Sequence, residues 1–349
     1  MEPALKCGLN RLSLVNMQAG LYAAQLRQEL TLRSRIFARG RAHVESYGSA
    51  PVIVYEPENG RHSNFFDAAY TAIATNPDWI RRFDKVHAQA ARSLPKPQLD
   101  AARRWRELDS SMSSDALLMN IFCTPGVADS PAVQRTLGVD AEAVPIFGWK
   151  ARVPLANGRF DRTEVDMRLG SLLVEAKLTE VGFQTRAAAI VEAYRDFDTV
   201  FDRDRLPRVE IATSRWLRAS EFPENDSQEF ESIVADPALV SFVDPAFRPP
   251  GEPGYAGYQL IRSVLAAHAS DSSFCVIHDA RRPDLREEWF QIMAAVKSAA
   301  LRVRLKVLTW QELAELLPVA LQEFLDVKYG IAALGNTPSP ILESAEIIG

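Results

Sequence analysis

The stretch that decides the fold is Thr163-Glu164-Val165-Asp166-Met167-Arg168-Leu169, then Gly170-Ser171, then Leu172-Leu173-Val174-Glu175-Ala176-Lys177-Leu178. Each run alternates apolar and polar residues with period two, the mark of a half-buried strand. Gly-Ser between them suits a two-residue hairpin loop with glycine at the first central position. Such a loop sets Leu169 opposite Leu172, Asp166 opposite Glu175 and Glu164 opposite Lys177. Side chains two apart share a face. The four polar groups are therefore expected on one side, and Val165, Met167, Val174 and Ala176 on the other, apolar side.

Opposed strand residues have Cβ atoms roughly 4.5–5.5 Å apart. Two carboxylates at that distance repel by about 3 kcal/mol at an effective dielectric near 20. Such a pair needs positive charge beside it. Lys177 supplies one charge, and a divalent cation can supply more. Magnesium binds through one or two carboxylates together with waters and substrate phosphate oxygens. A lysine beside it can hold the attacking water or neutralise charge on a phosphoryl group. In outline this is a site for phosphodiester hydrolysis. The competing reading of the hairpin alone is a salt-bridge lattice on the wet side of an antiparallel pair, where charge pairs contribute little.

The pattern Asp166 … Glu175-Ala176-Lys177 resembles the active-site signature of the PD-(D/E)XK nuclease superfamily, with Val165 where that family often has proline. The blocks Ser-Ser-X-Ala-Leu-X-X-Asn-X-Phe (113–122), Glu-X-Lys-X-Thr-Glu (175–180) and Tyr-Gln-Leu-Ile-Arg (258–262) are similar to a bacterial branch labelled as restriction endonucleases. The resemblance covers about residues 105–330. It implies an α/β (α+β) fold, the restriction-endonuclease-like αβββαβ core with a mixed central sheet flanked by helices. It also implies a metal-dependent nuclease acting on nucleic acid, with DNA as the expected substrate, Mg2+ or Mn2+ at Asp166 and Glu175, and Lys177 as the third catalytic group. The Ala176 carbonyl would assist the metal. A homodimer is one way in which such enzymes cut both strands. Supporting positions are Glu164, which orients Lys177, binds a second metal or simply pairs with the lysine, Gln259 and Arg262, the latter more often a surface charge, and Asn120, for which a structural hydrogen bond is the commoner reason. Glu107 and Asp115 compete for the place of a first-helix acid, and Glu180 either caps the strand or lines the site.

The surrounding sequence supplies the remaining elements. Ser113 to Phe122 reads as a buried helix with a serine N-cap. Val144 to Val153 reads as the first strand, Tyr258 to Ala269 as a helix, and Phe274 to His278 and Arg302 to Thr309 as strands. Trp310 to Leu325 reads as a closing amphipathic helix. Residues 1–46 and Asn64 to Leu94 look helical, with a small edge strand at Val52 to Tyr55. Glu221 to Tyr255 reads as an inserted loop. The expected organisation is a mainly helical N-terminal region (1–100), a nuclease-like core (101–331) and a frayed tail (332–349).

Composition bounds the alternatives. The chain has 349 residues, 47% of them hydrophobic, enough for one large or two modest cores. It has neither a bilayer-length apolar run nor a signal-peptide h-region, and Cys7, Cys123 and Cys275 have no zinc-ligand spacing. A cytoplasmic protein without a membrane partner is the expectation. Histidine spacing gives no HExxH, and Walker A, GxSxG and GxGxxG motifs are missing. The net charge of −5 is unusual for a nucleic-acid enzyme. Two stretches run against it: Arg81 to Arg106 has eight Lys/Arg against two acids, and Arg281 to Lys306 has seven against three. Local patches decide phosphate affinity more than the total does. The rival function is a catalytically silent nucleic-acid-binding or interaction protein on the same fold. A third is hydrolysis of another phosphoester.

Overall fold

The hairpin turns where its sequence places it. In the computed structural model Gly170 takes φ +59°, whereas Ser171 keeps a negative φ, as a turn with glycine first requires. Met167 pairs with Val174, Arg168 with Leu173 and Leu169 with Leu172, in antiparallel register. The structure describes residues 11–46, 51–85, 106–162, 164–211, 251–333 and 338.

The elements that build the site are α1 (Arg11–Phe37), α2 (Pro77–Phe83), α3 (Ser114–Phe122), β1 (Pro145–Lys150), β2 (Glu164–Leu169), β3 (Leu172–Ala176), α4 (Tyr258–Ala269), β4 (Ser273–His278), α5 (Pro283–Ala295), β5 (Leu305–Thr309) and α6 (Val319–Tyr329). The five strands form one mixed sheet in the order β5-β4-β3-β2-β1. β1, β2 and β3 run antiparallel to their neighbours, while β3, β4 and β5 are mutually parallel. The parallel step from β3 to β4 needs a crossover, and α4 lies in it. Every residue of β3 is buried, because helices cover both faces of the sheet.

One face carries Leu173, Phe274 and Val276 against α4 and α5. The other carries Met167, Val174, Ala176 and Ile277 against α1, α3 and α6. Each such aliphatic or aromatic side chain contributes roughly 1.5–3 kcal/mol when fully buried. α1 is part of this second layer: Leu26 and Leu30 pack there, and Arg33 Nη1 donates to the Asp326 carbonyl of α6 at 3.3 Å.

The expected single apolar face of the hairpin is divided in two. Met167 and Phe147 pack in the α1–α3–α6 layer, but Val165 and Trp149, each two residues away, pack in the α4–α5 layer. Side chains two apart on a regular strand share a face. The β1–β2 ribbon must therefore turn over between these positions, at Gly148 and Asp166. Gly148 takes φ +61° there, a conformation open to glycine and strained for other residues. A lone glycine within a strand pattern is the sequence trace of such a bend.

Several boundaries differ from the sequence reading for local reasons. The helix expected from Asn64 splits into Asp67–Thr75 and α2. Pro77 starts the second piece, and Asn76 caps it by accepting from the Asp78 and Trp79 amides at 3.0 and 3.3 Å. The helix expected over Trp310 to Leu325 likewise breaks into Trp310–Ala314 and α6, since Pro318 cannot continue the first piece. Ser113 caps α3 as read, accepting from the Ala116 amide at 3.1 Å. Residues 43–45 form a strand, not helix, paired with Ile53–Tyr55. Glu252–Ala256, placed in the inserted loop, pairs instead with Thr185–Ala187 and Arg208–Ile211. The rest of that loop (221–250), the link 95–100 with its flanks and most of the tail lie outside the described residues.

The bend at Gly148 is testable. A Cβ there would sit 3.4 Å from Glu164 Oε1 and 3.5 Å from Arg82 Cδ, in ordinary contact, so the cost of Gly148→Ala is backbone strain. Urea unfolding is expected to show a loss of about 1–2 kcal/mol, and an unchanged midpoint would refute the bend.

Candidate active site

The strand ladder between β2 and β3 stops at Met167–Val174, just before Asp166 and Glu175 would meet. The bend frees the Ala176 N–H from a strand partner, and Asp166 Oδ2 accepts it at 2.7 Å. Lys177 N–H points the other way and donates to the Ile277 carbonyl of β4 at 2.8 Å. Within an extended strand the N–H and C=O of one residue point to the same side. The Ala176 carbonyl therefore opens toward Asp166, so carboxylate and carbonyl oxygens flank one gap.

Glu175 and Lys177 are 2% and 5% exposed, which excludes the wet salt-bridge lattice. Lys177 Nζ donates to Glu175 Oε1 at 2.8 Å and lies 5.5 Å from the centroid of the Phe183 ring. The Lys177 carbonyl accepts from Trp310 Nε1 at 2.9 Å, which locks the strand end. Burial opposes the Lys177 ammonium, but Glu175, Glu180 and Asp166 outweigh it and hold the group above the usual lysine range. Burial, followed by the charges of Glu175 and Asp115, pushes the Asp166 carboxyl well above the usual range.

Glu164 does not face Lys177, contrary to the hairpin expectation. Past the bend its carboxylate pairs with Lys85 at 2.9 Å and Arg82 at 3.2 Å. Arg82, from α2, also pairs with Glu107 at 3.6 Å and with Asp115. It joins both candidate first-helix acids in one network and was not singled out by the sequence, where it is one basic residue among several. Of the two acids, Asp115 sits in the first turn of α3 and acts electrostatically on Asp166. Burial raises the Asp115 carboxyl to about 6 against the opposing pull of Arg82. Glu180 caps the end of the Glu-X-Lys segment, accepting from the Leu178 amide and the Ser114 hydroxyl, each at 2.6 Å.

The helix residues divide. Gln259 begins α4, its amide donating to the Phe183 carbonyl at 2.9 Å, and its Oε1 is buried without a partner. Arg262 lies over the Tyr258 ring at 5.3 Å, with Nε buried and unpartnered. Asn120 ties α3 to the preceding loop: Oδ1 accepts from the Phe66 amide at 2.6 Å, and Nδ2 donates to the Ala116 and Asn64 carbonyls at 2.8 and 3.0 Å. Among the described residues, no three His, Cys, Asp or Glu side chains converge to hold a metal by themselves. The gap offers two carboxylates and a carbonyl, and these hard oxygens suit a cation that keeps several waters.

A five-stranded mixed sheet thus carries a buried Glu175–Lys177 pair on its central strand, with half-buried Asp166 beside it. The profile of the family described as restriction endonuclease associating with ARP matches residues 37–330. The chain belongs to that family, which its description names as restriction endonucleases, enzymes that cut DNA. Searches of curated proteins and of solved structures found no match. Among the described residues no helix is long and apolar enough to cross a membrane.

The raised Asp115 has a consequence for stability. Folded, this acid keeps its proton up to about 6, whereas an unfolded aspartate releases it near pH ~4. The native state thus binds more protons in that window, so stability falls as pH rises from about 4 to about 6 and levels off above. Thermal melts of Asp115→Asn are expected to fall less steeply across the window than wild type. Parallel curves would disprove the buried, protonated acid.

Proposed function

We propose that the chain is a magnesium-dependent endonuclease that hydrolyses DNA phosphodiester bonds at Asp166, Glu175 and Lys177. One observation carries the reading: a carboxylate turned onto the Ala176 amide beside a buried Glu175–Lys177 pair on the central strand. Supporting it, the order α3-β1-β2-β3-α4-β4 follows the αβββαβ core of restriction-endonuclease-like folds, and the family is named for that activity.

The donor set fits magnesium: Asp166, Glu175 and the Ala176 carbonyl would hold it, with the unpartnered Gln259 Oε1 as a buried acceptor near the Phe183 loop. When bound, it supplies Lewis-acid polarisation of a phosphoryl oxygen and a more acidic water. The chain's own residues do the rest. Lys177 is held above its usual range, so at neutral pH it stays an ammonium. It donates rather than accepts, holding the attacking water and facing the phosphoryl oxygens as their charge builds. Glu175 fixes that ammonium by a charge-assisted bond. The Ala176 amide fixes Asp166 toward the gap. Water attacks phosphorus in line as the P–O bond to the leaving nucleotide breaks.

Plasmid and single-stranded DNA with magnesium test the reading. Lys177→Ala and Asp166→Ala are each expected to slow cleavage by about 10²–10³-fold, the usual effect of removing one transition-state donor or its scaffold. Equal rates in all three proteins would end the proposal. Calorimetry with manganese separates the enzyme from a silent binder: saturable heat is expected for wild type and not for Asp166→Ala.

A further inference from the structure

Several described cations of the basic stretches that stand out in the sequence are paired within the fold. Arg281 pairs with Asp279 and Glu29, Arg282 with Asp284 and Arg304 with Asp271. Arg81 pairs with Asp78, Lys85 with Glu107 and Glu164, and Arg106 with Asp84. Among the described residues, others make no ion pair. Between β1 and β2 the chain forms a second hairpin, Val153–Pro154 against Phe160–Asp161. Lys150, Arg152, Arg159 and Arg162, in and beside it, are all exposed. Among the described residues Arg152, Arg159 and Arg162 make no ion pair, while Lys150 stands across the ladder from Glu164 and acts on its charge. Phe160 is 46% exposed, and the Arg152 guanidinium lies over its ring at 4.4 Å.

This hairpin is fixed from beneath. Val153 is buried, Leu155 bridges to Tyr194, the Ala156 amide donates to the Ala193 carbonyl at 2.9 Å, and the Arg195 amide to the Pro154 carbonyl at 3.0 Å. Its one acid, Asp161, is turned inward, accepting from the Tyr194 hydroxyl at 2.6 Å. The tip is a tight turn with Gly158 at φ +80°, where Asn157 Oδ1 accepts from the Arg159 amide at 3.0 Å. The cations are thus presented on a preorganised support that costs little further ordering on binding.

Position completes the case. The hairpin grows from the bend that aims Asp166. Arg162 is four residues from Asp166, a reach of at most about 14 Å of extended chain, or some four base pairs at 3.4 Å each. In a chain of net charge −5, three free arginines and an exposed ring at the edge of the site complement a polyanion with π-faces.

We propose that the 150–162 hairpin is a DNA-binding wing, whose cations engage duplex phosphates flanking the bond to be cut and whose Phe160–Arg152 stack lies against the groove. The placement of the cut bond rests on the nuclease reading above; the binding itself does not.

The test is fluorescence anisotropy of the full chain, without divalent metal, on a labelled mixed-sequence duplex across a salt series. Each phosphate contact adds about 0.9 to the slope of log affinity against log salt. The triple variant Arg152→Ala, Arg159→Ala, Arg162→Ala is expected to lower that slope by about 2.7. Arg159→Ala and Arg162→Ala alone are each expected to lower it by about 0.9. Phe160→Ala is expected to weaken binding with little change of slope. A control triple at paired arginines, Arg203→Ala, Arg205→Ala, Arg304→Ala, is expected to leave the slope unchanged. An unchanged slope in the first triple, an equal fall in the control, or tight binding of single-stranded RNA in place of the duplex would each overturn the wing. Binding with the expected slopes but no magnesium-dependent cleavage would uphold the wing and remove the nuclease reading. Cleavage with unchanged slopes would do the reverse.

Discussion

The arrangement depends on one hydrogen bond: the Ala176 amide donated to the Asp166 carboxylate. A central strand cannot leave a buried amide unpaired without a penalty. The ladder that would have paired it ends one step earlier, because the β1–β2 ribbon turns over at Gly148 and Asp166. The acid replaces the missing strand partner. Backbone satisfaction and the aim of the carboxylate proposed to hold the metal are thus the same contact.

Around this contact the site is assembled as charge in a dry place. Glu175 and Lys177 satisfy one another within the sheet. On the far side, Arg82 gathers Asp115, Glu107 and Glu164. Removing Arg82 from this set would leave its acids uncompensated, so the network ties α2 to the edge of the sheet. α1 and α2 come from the region read as a separate N-terminal segment, yet α1 shares a core with the sheet and α2 delivers Arg82 to the site. The restriction-endonuclease family match from residue 37 onward includes α2 and leaves nearly all of α1 before it.

Much of this was legible from short-range rules. The Gly-Ser turn set the register, and the register put Asp166 and Glu175 at neighbouring positions. The Ser113 cap, the period of Tyr258–Ala269 and the apolar runs of β4 and β5 gave the order of elements. What escaped came from contacts distant in sequence. Glu164 was assigned to Lys177 by extending a regular ladder through a point where the ladder ends. Arg82 could not be told from its basic neighbours, since burial beside Asp115 distinguishes it and sequence does not encode burial directly. Counting charges pointed to two long stretches, several of whose described cations are paired within the fold, and missed the shorter run at 150–162, where Arg152, Arg159 and Arg162 make no ion pair among the described residues.

The sequence by itself determined the hairpin and its register as far as Met167–Val174, because a two-residue turn and a period of two are local constraints. Only the tertiary structure decided which way the ribbon bends, which acids share an arginine and which cations stay unpaired. Those outcomes depend on the Ala176 amide that β2 leaves open and on the charges that helices distant in sequence bring to the sheet's edge.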